Sequence, residues 1–149
     1  VQVVIEHLGG SRRGQRQELS PTARVRFGRH PDCEVSFDPV RDLDASSRHA
    51  ELRSADPDWV LVDLGSSNGT FVDGRRITEA RVEAGAPVVV EFGHRGPRVR
   101  LFIGDPAQLA ALPPPAEEPA ARPARRWTAL LAAVVVGVLV VVGVLLARG

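Results

Sequence analysis

The arrangement of short apolar runs constrains this chain more than any single residue does. From Val1 to Gly104, brief segments rich in Val, Ile or Phe alternate with turn signals. VQVVIEHL, ARVRFG, CEVSF, HAELR, WVLVDL, TFVDG, APVVVEFG and RVRLFIG carry the β-branched and aromatic residues that suit a pleated, half-buried surface. Between them GGSRRG, RHPD, SADPD and VDGRR supply the Gly, Pro and Asp of tight turns. No window in this region shows the 3.6-residue period of an amphipathic helix. Many short strands at near-regular spacing predict an all-β sandwich over residues 1–104. Asp73-Gly74, between TFV and RRI, predicts a two-residue hairpin.

After Gly104 the composition changes. DPAQLAALPPPAEEPAARPARR is dominated by Pro and Ala, so residues 105–126 are expected to form a flexible, semi-extended linker. Residues 127–149 read as a transmembrane anchor. The stretch from Thr128 to Ala147 carries no charge, and a helix of that length spans roughly the 30 Å of a bilayer core. Trp127 suits the membrane interface. Ala133 and Gly137, then Gly143 and Ala147, place small residues one turn apart, a spacing compatible with weak homodimerisation of the span.

Charge and cysteine content exclude several function classes. Residues 1–104 hold 15 Arg and 15 acidic residues, so this part has no general attraction for nucleic acid. Any anion site must be local. Cys33 is the single cysteine, which excludes an internal disulfide, and no Cys/His group has zinc spacing. The sequence calls for no metal or cofactor.

The segment LGSSNGTFVDG poses the functional question. Gly65-Ser66-Ser67-Asn68-Gly69 fits G-x-S-x-G, the nucleophile elbow of serine hydrolases. That elbow needs a strand, a sharp turn and then a helix, with an acid and a His to follow. Here TFVDGRRI follows, a strand and hairpin, and only His94 lies beyond Ser67. A hydrolase using Ser67 is therefore a remote alternative, and the chain is expected not to be an enzyme. As a binder the same loop has company. Arg29 in FGRHPD, Ser46 and Ser47 in DASSRHAEL, and Ser67 with Asn68 all fall in turn regions at strand ends. Loops of a sandwich gather at two ends, so these side chains can converge. One guanidinium, several hydroxyls and an amide together suit a phosphate dianion.

Gly28-Arg29, then Ser46-x-x-His49 followed by Ala-Glu-Leu, then DLGSSNGTFVDG, occur in that order on short strands. Together they resemble the forkhead-associated (FHA) domain. The resemblance implies an FHA-like sandwich of eleven strands that binds phosphothreonine peptides through loops at one end. It implies that Arg29 pairs with the phosphate, that Ser46 donates to it, that Ser67 assists, and that Asn68 holds the peptide main chain. It implies too that Ser47 contributes to the same site, that Gly28 and Gly69 shape the loops, and that His49 braces them from behind. Ser47 also marks a departure, because the family often has Arg or Asn there. Asp44, near the recognition loop, is expected to disfavour acidic residues after the phosphothreonine.

The resulting expectation is a membrane-tethered adaptor for phosphothreonine-containing partners, such as substrates of a Ser/Thr kinase. The alternative is a phosphate-independent FHA-like scaffold. The basic residues are all Arg, and Ala, Val, Gly and Pro are abundant, a bias of GC-rich bacterial genomes. VQVVIEHLGGSRRG does not read as a signal peptide, and three Arg precede the apolar run while Arg148 follows it. Both features predict a single-pass protein of the bacterial inner membrane with its N-terminal domain in the cytoplasm.

Overall fold

Alternation along each strand decides what it buries. In QVVIEHLG, Val3 and Ile5 enter the main core while Val4 joins a different cluster. The same split recurs in RVRLFIG, where Val99, Leu101 and Ile103 face one way and Phe102 the other. A half-exposed strand would read apolar on one face only. These two strands are buried on both.

The computed structural model describes residues 1–20 and 23–115. Among them eleven strands form: β1 (Gln2–Gly9), β2 (Arg16–Leu19), β3 (Arg24–Gly28), β4 (Val35–Ser36), β5 (Ala50–Ala55), β6 (Asp58–Asp63), β7 (Thr70–Val72), β8 (Arg75–Ile77), β9 (Glu79–Val82), β10 (Val88–Phe92) and β11 (Arg98–Gly104). They make two sheets, in the orders β2-β1-β11-β10-β7-β8 and β4-β3-β5-β6-β9. The all-β sandwich expected from the strand rhythm is the fold observed. Phe92 is a hub of its core, stacked on Phe27 at 5.0 Å and tilted against Phe37 at 4.9 Å. The hairpin at Asp73-Gly74 forms as expected: both residues have positive φ, 47° and 82°, the requirement of a type I′ turn.

Two strands escape the sequence pattern. β2 and β9 are polar, half-exposed edge strands, held in place by hydrogen bonding to β1 and β6. Arg16 opens β2 and pairs with Glu18 at 2.8 Å.

The folded unit also continues beyond Gly104, to Pro114. Asp105 caps a short helix, α1 (Pro106–Ala110), accepting the Ala107 N–H at 2.9 Å. The helix sets buried Leu109 against Val4 and Phe102, the outward residues of β1 and β11. Arg100, also outward and buried, donates to the Pro113 carbonyl at 3.1 Å. Residues 105–114 thus pack on the sheet instead of tethering it, because they cover an apolar face that would otherwise meet water. Among the described residues no helix is long and apolar enough to cross a membrane, and the expected span lies outside them. Residues 116–126, half of the expected linker, lie outside them too.

Candidate functional site

Three loops meet at one end of the sandwich. The first follows β3 at Gly28-Arg29, the second precedes β5 at Asp44–His49, and the third joins β6 to β7 at residues 64–69. Their backbones are stitched together. The Arg29 N–H donates to the Ser46 carbonyl at 3.1 Å, and the His30 N–H to the Ser47 carbonyl at 2.9 Å. Gly28 permits this approach, since a Cβ there would lie 2.2 Å from the Ser47 oxygen.

Side chains complete the connection. Arg29 Nε donates to the Ala45 carbonyl at 2.7 Å and Nη1 to the Pro39 carbonyl at 3.0 Å. Those bonds hold the guanidinium plane; among the described residues Nη2 has no partner. Ser46 Oγ accepts the Ser67 N–H at 3.1 Å, so the hydroxyl keeps its own hydrogen to donate. Asn68 Nδ2 donates to the Asp44 carbonyl at 3.0 Å, leaving its oxygen and its other N–H for further bonds.

His49 sits beneath these groups, fully buried and edge-on to Phe92 at 5.4 Å. Its Nδ1 accepts the Ser46 N–H at 2.9 Å. That bond makes Nε2 the protonated nitrogen, which donates to the Gly69 carbonyl at 2.9 Å. Burial pushes the imidazole pKa down, against a smaller upward pull from the Gly69 carbonyl, so His49 is a neutral brace between the second and third loops. With both nitrogens committed it has no lone pair for Ser67. The strand β7, not a helix, follows that serine. The geometry of a nucleophile elbow is missing on both counts.

Asp63 organises the third loop, and sequence reasoning passed over it. Its carboxylate accepts the N–H groups of Gly65 and Ser66 at 3.0 and 3.1 Å. It also accepts the hydroxyls of Ser66 and Thr70, each at 2.6 Å. Burial alone would raise its pKa, but these bonds outweigh it and the net direction is down. Ser66 Oγ in turn receives the Gly69 N–H at 3.0 Å. The local signal was present: an Asp two residues before a Gly is an Asx-turn pattern. Gly93 is the other omission. Its N–H donates to the Gly69 carbonyl at 2.8 Å from the β10–β11 turn, a contact with no local signature.

All eight residues singled out in the sequence therefore lie in the three loops or at their roots. Arg29 and Ser46 are half-buried, while Ser47, Ser67 and Asn68 are exposed. Gly69 has a φ of +84°, and a Cβ there would come within 2.8 Å of Arg76 Nε. Ser47 joins the bracing through its carbonyl, not its side chain.

Residues 25–93 match the family model of the FHA domain. Over these residues the chain is similar to the FHA domain. Its three-loop end holds Gly28, Arg29, Ser46, Ser47, His49, Ser67, Asn68 and Gly69 of the motifs on which the sequence resemblance rested. FhaB of Mycolicibacterium smegmatis, an FHA domain-containing protein, is 49% identical over 65 residues, 43% of this chain and 40% of FhaB. The glycogen accumulation regulator GarA of Mycobacterium tuberculosis is 38% identical over 63 residues, 42% of this chain and 37% of GarA. The match thus spans less than half of each of these curated relatives. Among solved structures, an FHA domain studied for phosphothreonine-dependent interactions aligns with a TM-score of 0.57 and 26% identity. That alignment covers 70% of this chain and 99% of that one.

Proposed function

We propose that this FHA domain binds phosphothreonine peptides at its three-loop end and acts as an adaptor, without chemistry of its own. The observation that carries the reading is the joint placement of Arg29, Ser46 and Asn68 by bonds between the loops. Arg29 offers a planar fork whose orientation is already set, so a phosphate gains charge-assisted bonds at small entropic cost. Ser46 supplies a hydroxyl donor to another phosphate oxygen, and Ser67 lies next to it. Asn68, held by Asp44, presents an amide to the peptide backbone. Ser47 is exposed beside them. The similarity to an FHA domain with phosphothreonine-dependent interactions supports the ligand class.

In the same reading, the apolar run 128–147 anchors the domain to a bacterial inner membrane, with the domain on the cytoplasmic side. A membrane-held reader of phosphothreonine suits recruitment of Ser/Thr kinase substrates to that surface.

Titration calorimetry with four peptides identical except at one position tests the ligand. The phosphothreonine peptide is expected to bind with roughly micromolar Kd, about −8 kcal/mol. Phosphoserine lacks a methyl group and should bind about tenfold or more weakly. Glutamate and unmodified threonine should not bind measurably, since one carboxylate supplies neither the charge nor the three acceptor oxygens of a phosphate. Equal binding of the unmodified peptide would replace this reading with a phosphate-independent adaptor.

A further inference from the structure

We propose that Asn68 is a site of spontaneous modification: water converts it to aspartate or isoaspartate through cyclisation onto Gly69, which silences the three-loop end, and the Ser66 hydroxyl holds that reaction off in the folded chain. The chemistry is independent of the phosphopeptide reading. Only the loss of binding rests on it.

Asn68 is the only asparagine of the 149-residue chain, and a glycine follows it. An Asn-Gly pair offers this reaction the least resistance, because no side chain shields the attacking nitrogen. Here both halves of the pair are required. Gly69 has a φ of +84°, and a Cβ there would come within 2.8 Å of Arg76 Nε, so the turn calls for glycine. Asn68 supplies the amide that the phosphopeptide reading assigns to the peptide main chain. Asn68 is also exposed, so water and base reach it.

The reaction needs no oxidant and no metal. The Gly69 nitrogen gives its proton to solvent base and bonds to Asn68 Cγ. The Cγ–Nδ2 bond breaks, Nδ2 leaves as ammonia, and a cyclic imide closes. Water then adds to either imide carbonyl and opens the ring to aspartate or isoaspartate, so water is consumed and ammonia released in equal amounts.

The folded loop commits both reacting groups elsewhere. The Gly69 N–H donates to Ser66 Oγ at 3.0 Å, and that hydroxyl is itself anchored on Asp63 at 2.6 Å. Asn68 Nδ2 donates to the Asp44 carbonyl of the second loop at 3.0 Å. The Gly69 carbonyl accepts His49 Nε2 at 2.9 Å and the Gly93 N–H at 2.8 Å, so Gly69 is held at both ends. Cyclisation must break the bonds at Asn68 Nδ2 and at the Gly69 nitrogen, and it therefore proceeds from a locally opened loop. Its products do not fit the site. Aspartate loses the donor to Asp44 and sets a negative charge beside the phosphate. Isoaspartate adds a methylene to the main chain, which moves Gly69 off His49 and Gly93.

The full chain, solubilised in detergent, is incubated at mildly alkaline pH, both folded and unfolded in guanidinium chloride, alongside the folded Ser66→Ala variant. Mass spectrometry reads the mass gain of deamidation and fragmentation places it at Asn68; isomerisation at Asp73-Gly74 leaves the mass unchanged. The unfolded chain should react at least about tenfold faster than the folded one, since several hydrogen bonds must open together. Ser66→Ala should speed the folded reaction about two- to tenfold, the share of one hydrogen bond. The aged fraction and Asn68→Asp should each bind a phosphothreonine peptide at least about tenfold more weakly than fresh protein. Equal rates in the folded and unfolded chain, a Ser66→Ala rate at or below that of the wild type, or full binding by the aged fraction overturns the proposal. If Ser66→Ala does not fold, the comparison in guanidinium chloride decides. Failure of fresh protein to bind the peptide removes the phosphopeptide reading alone, because the mass measurements need no ligand.

Discussion

The Ser46 hydroxyl receives the Ser67 N–H at 3.1 Å, so the second loop is tied to the third through the oxygen proposed to face phosphate. Ser46 contributes its side chain to this contact and Ser67 contributes its backbone. The two serines should therefore differ under mutation. Ser46→Ala removes a donor to the phosphate and the acceptor for Ser67. Hydrogen bonds to charged groups contribute about 1.5–3 kcal/mol, so phosphopeptide affinity should fall about tenfold or more. Ser67→Ala keeps the N–H and should cost less than about threefold. Calorimetry on both variants decides it, and equal losses would refute the division of roles.

Arg29 should resist even a conservative change. Its Nε and Nη1 are bound to two different carbonyls, those of Ala45 and Pro39. Lys keeps the charge but has no planar fork to span them and still address a phosphate. Arg29→Lys should lose roughly tenfold or more in affinity with melting temperature little changed. Wild-type affinity in that variant would show that charge alone suffices.

Leu109 tests where the domain ends. It is buried against Val4 and Phe102. Leu109→Ala should destabilise the fold by about 2–5 kcal/mol in denaturant unfolding. Truncation after Gly104 should cost at least as much, since it exposes both partners at once. A truncated domain as stable as residues 1–114 would make α1 dispensable.

Acid should destabilise the domain in two stages. Burial lowers the pKa of His49 and of His7, so in the folded state both are neutral in a range where the unfolded chain is protonated. Stability is lost as pH falls below the ordinary histidine value of about 6.5, down to the depressed folded values. Glu34, hydrogen-bonded by Arg26, is held down to about 2, and Asp63 is also lowered. Their contributions persist above the usual carboxylate range and disappear as pH falls toward those values. Melting temperature against pH should show both declines. A flat profile between pH 7 and 5 would mean that the histidines are not neutral braces.

Topology follows from the Arg residues beside the apolar run. A reporter fused after Gly149 should be active only outside the cytoplasm, given Arg122, Arg125 and Arg126 before the run and Arg148 after it. Cytoplasmic activity would refute the proposed orientation.

The sequence alone determined the strand rhythm, the Asp73-Gly74 hairpin and the placement of Arg29, Ser46, Ser47, Ser67 and Asn68 in loops at strand ends. Each is a matter of local chemistry: alternation, left-handed turn residues, short polar side chains at strand ends. Non-local pairing decided the rest. β2 and β9 lack strand-forming composition and become strands because β1 and β6 offer them hydrogen bonds. Residues 105–114 look like linker from their Pro and Ala content, yet Leu109 packs because β1 and β11 expose Val4 and Phe102 to it. Gly93 reaches the Gly69 carbonyl because β10 pairs with β7. A residue's neighbours in the chain fix its conformational preferences, while the field it experiences comes from groups that only the closed sandwich brings together.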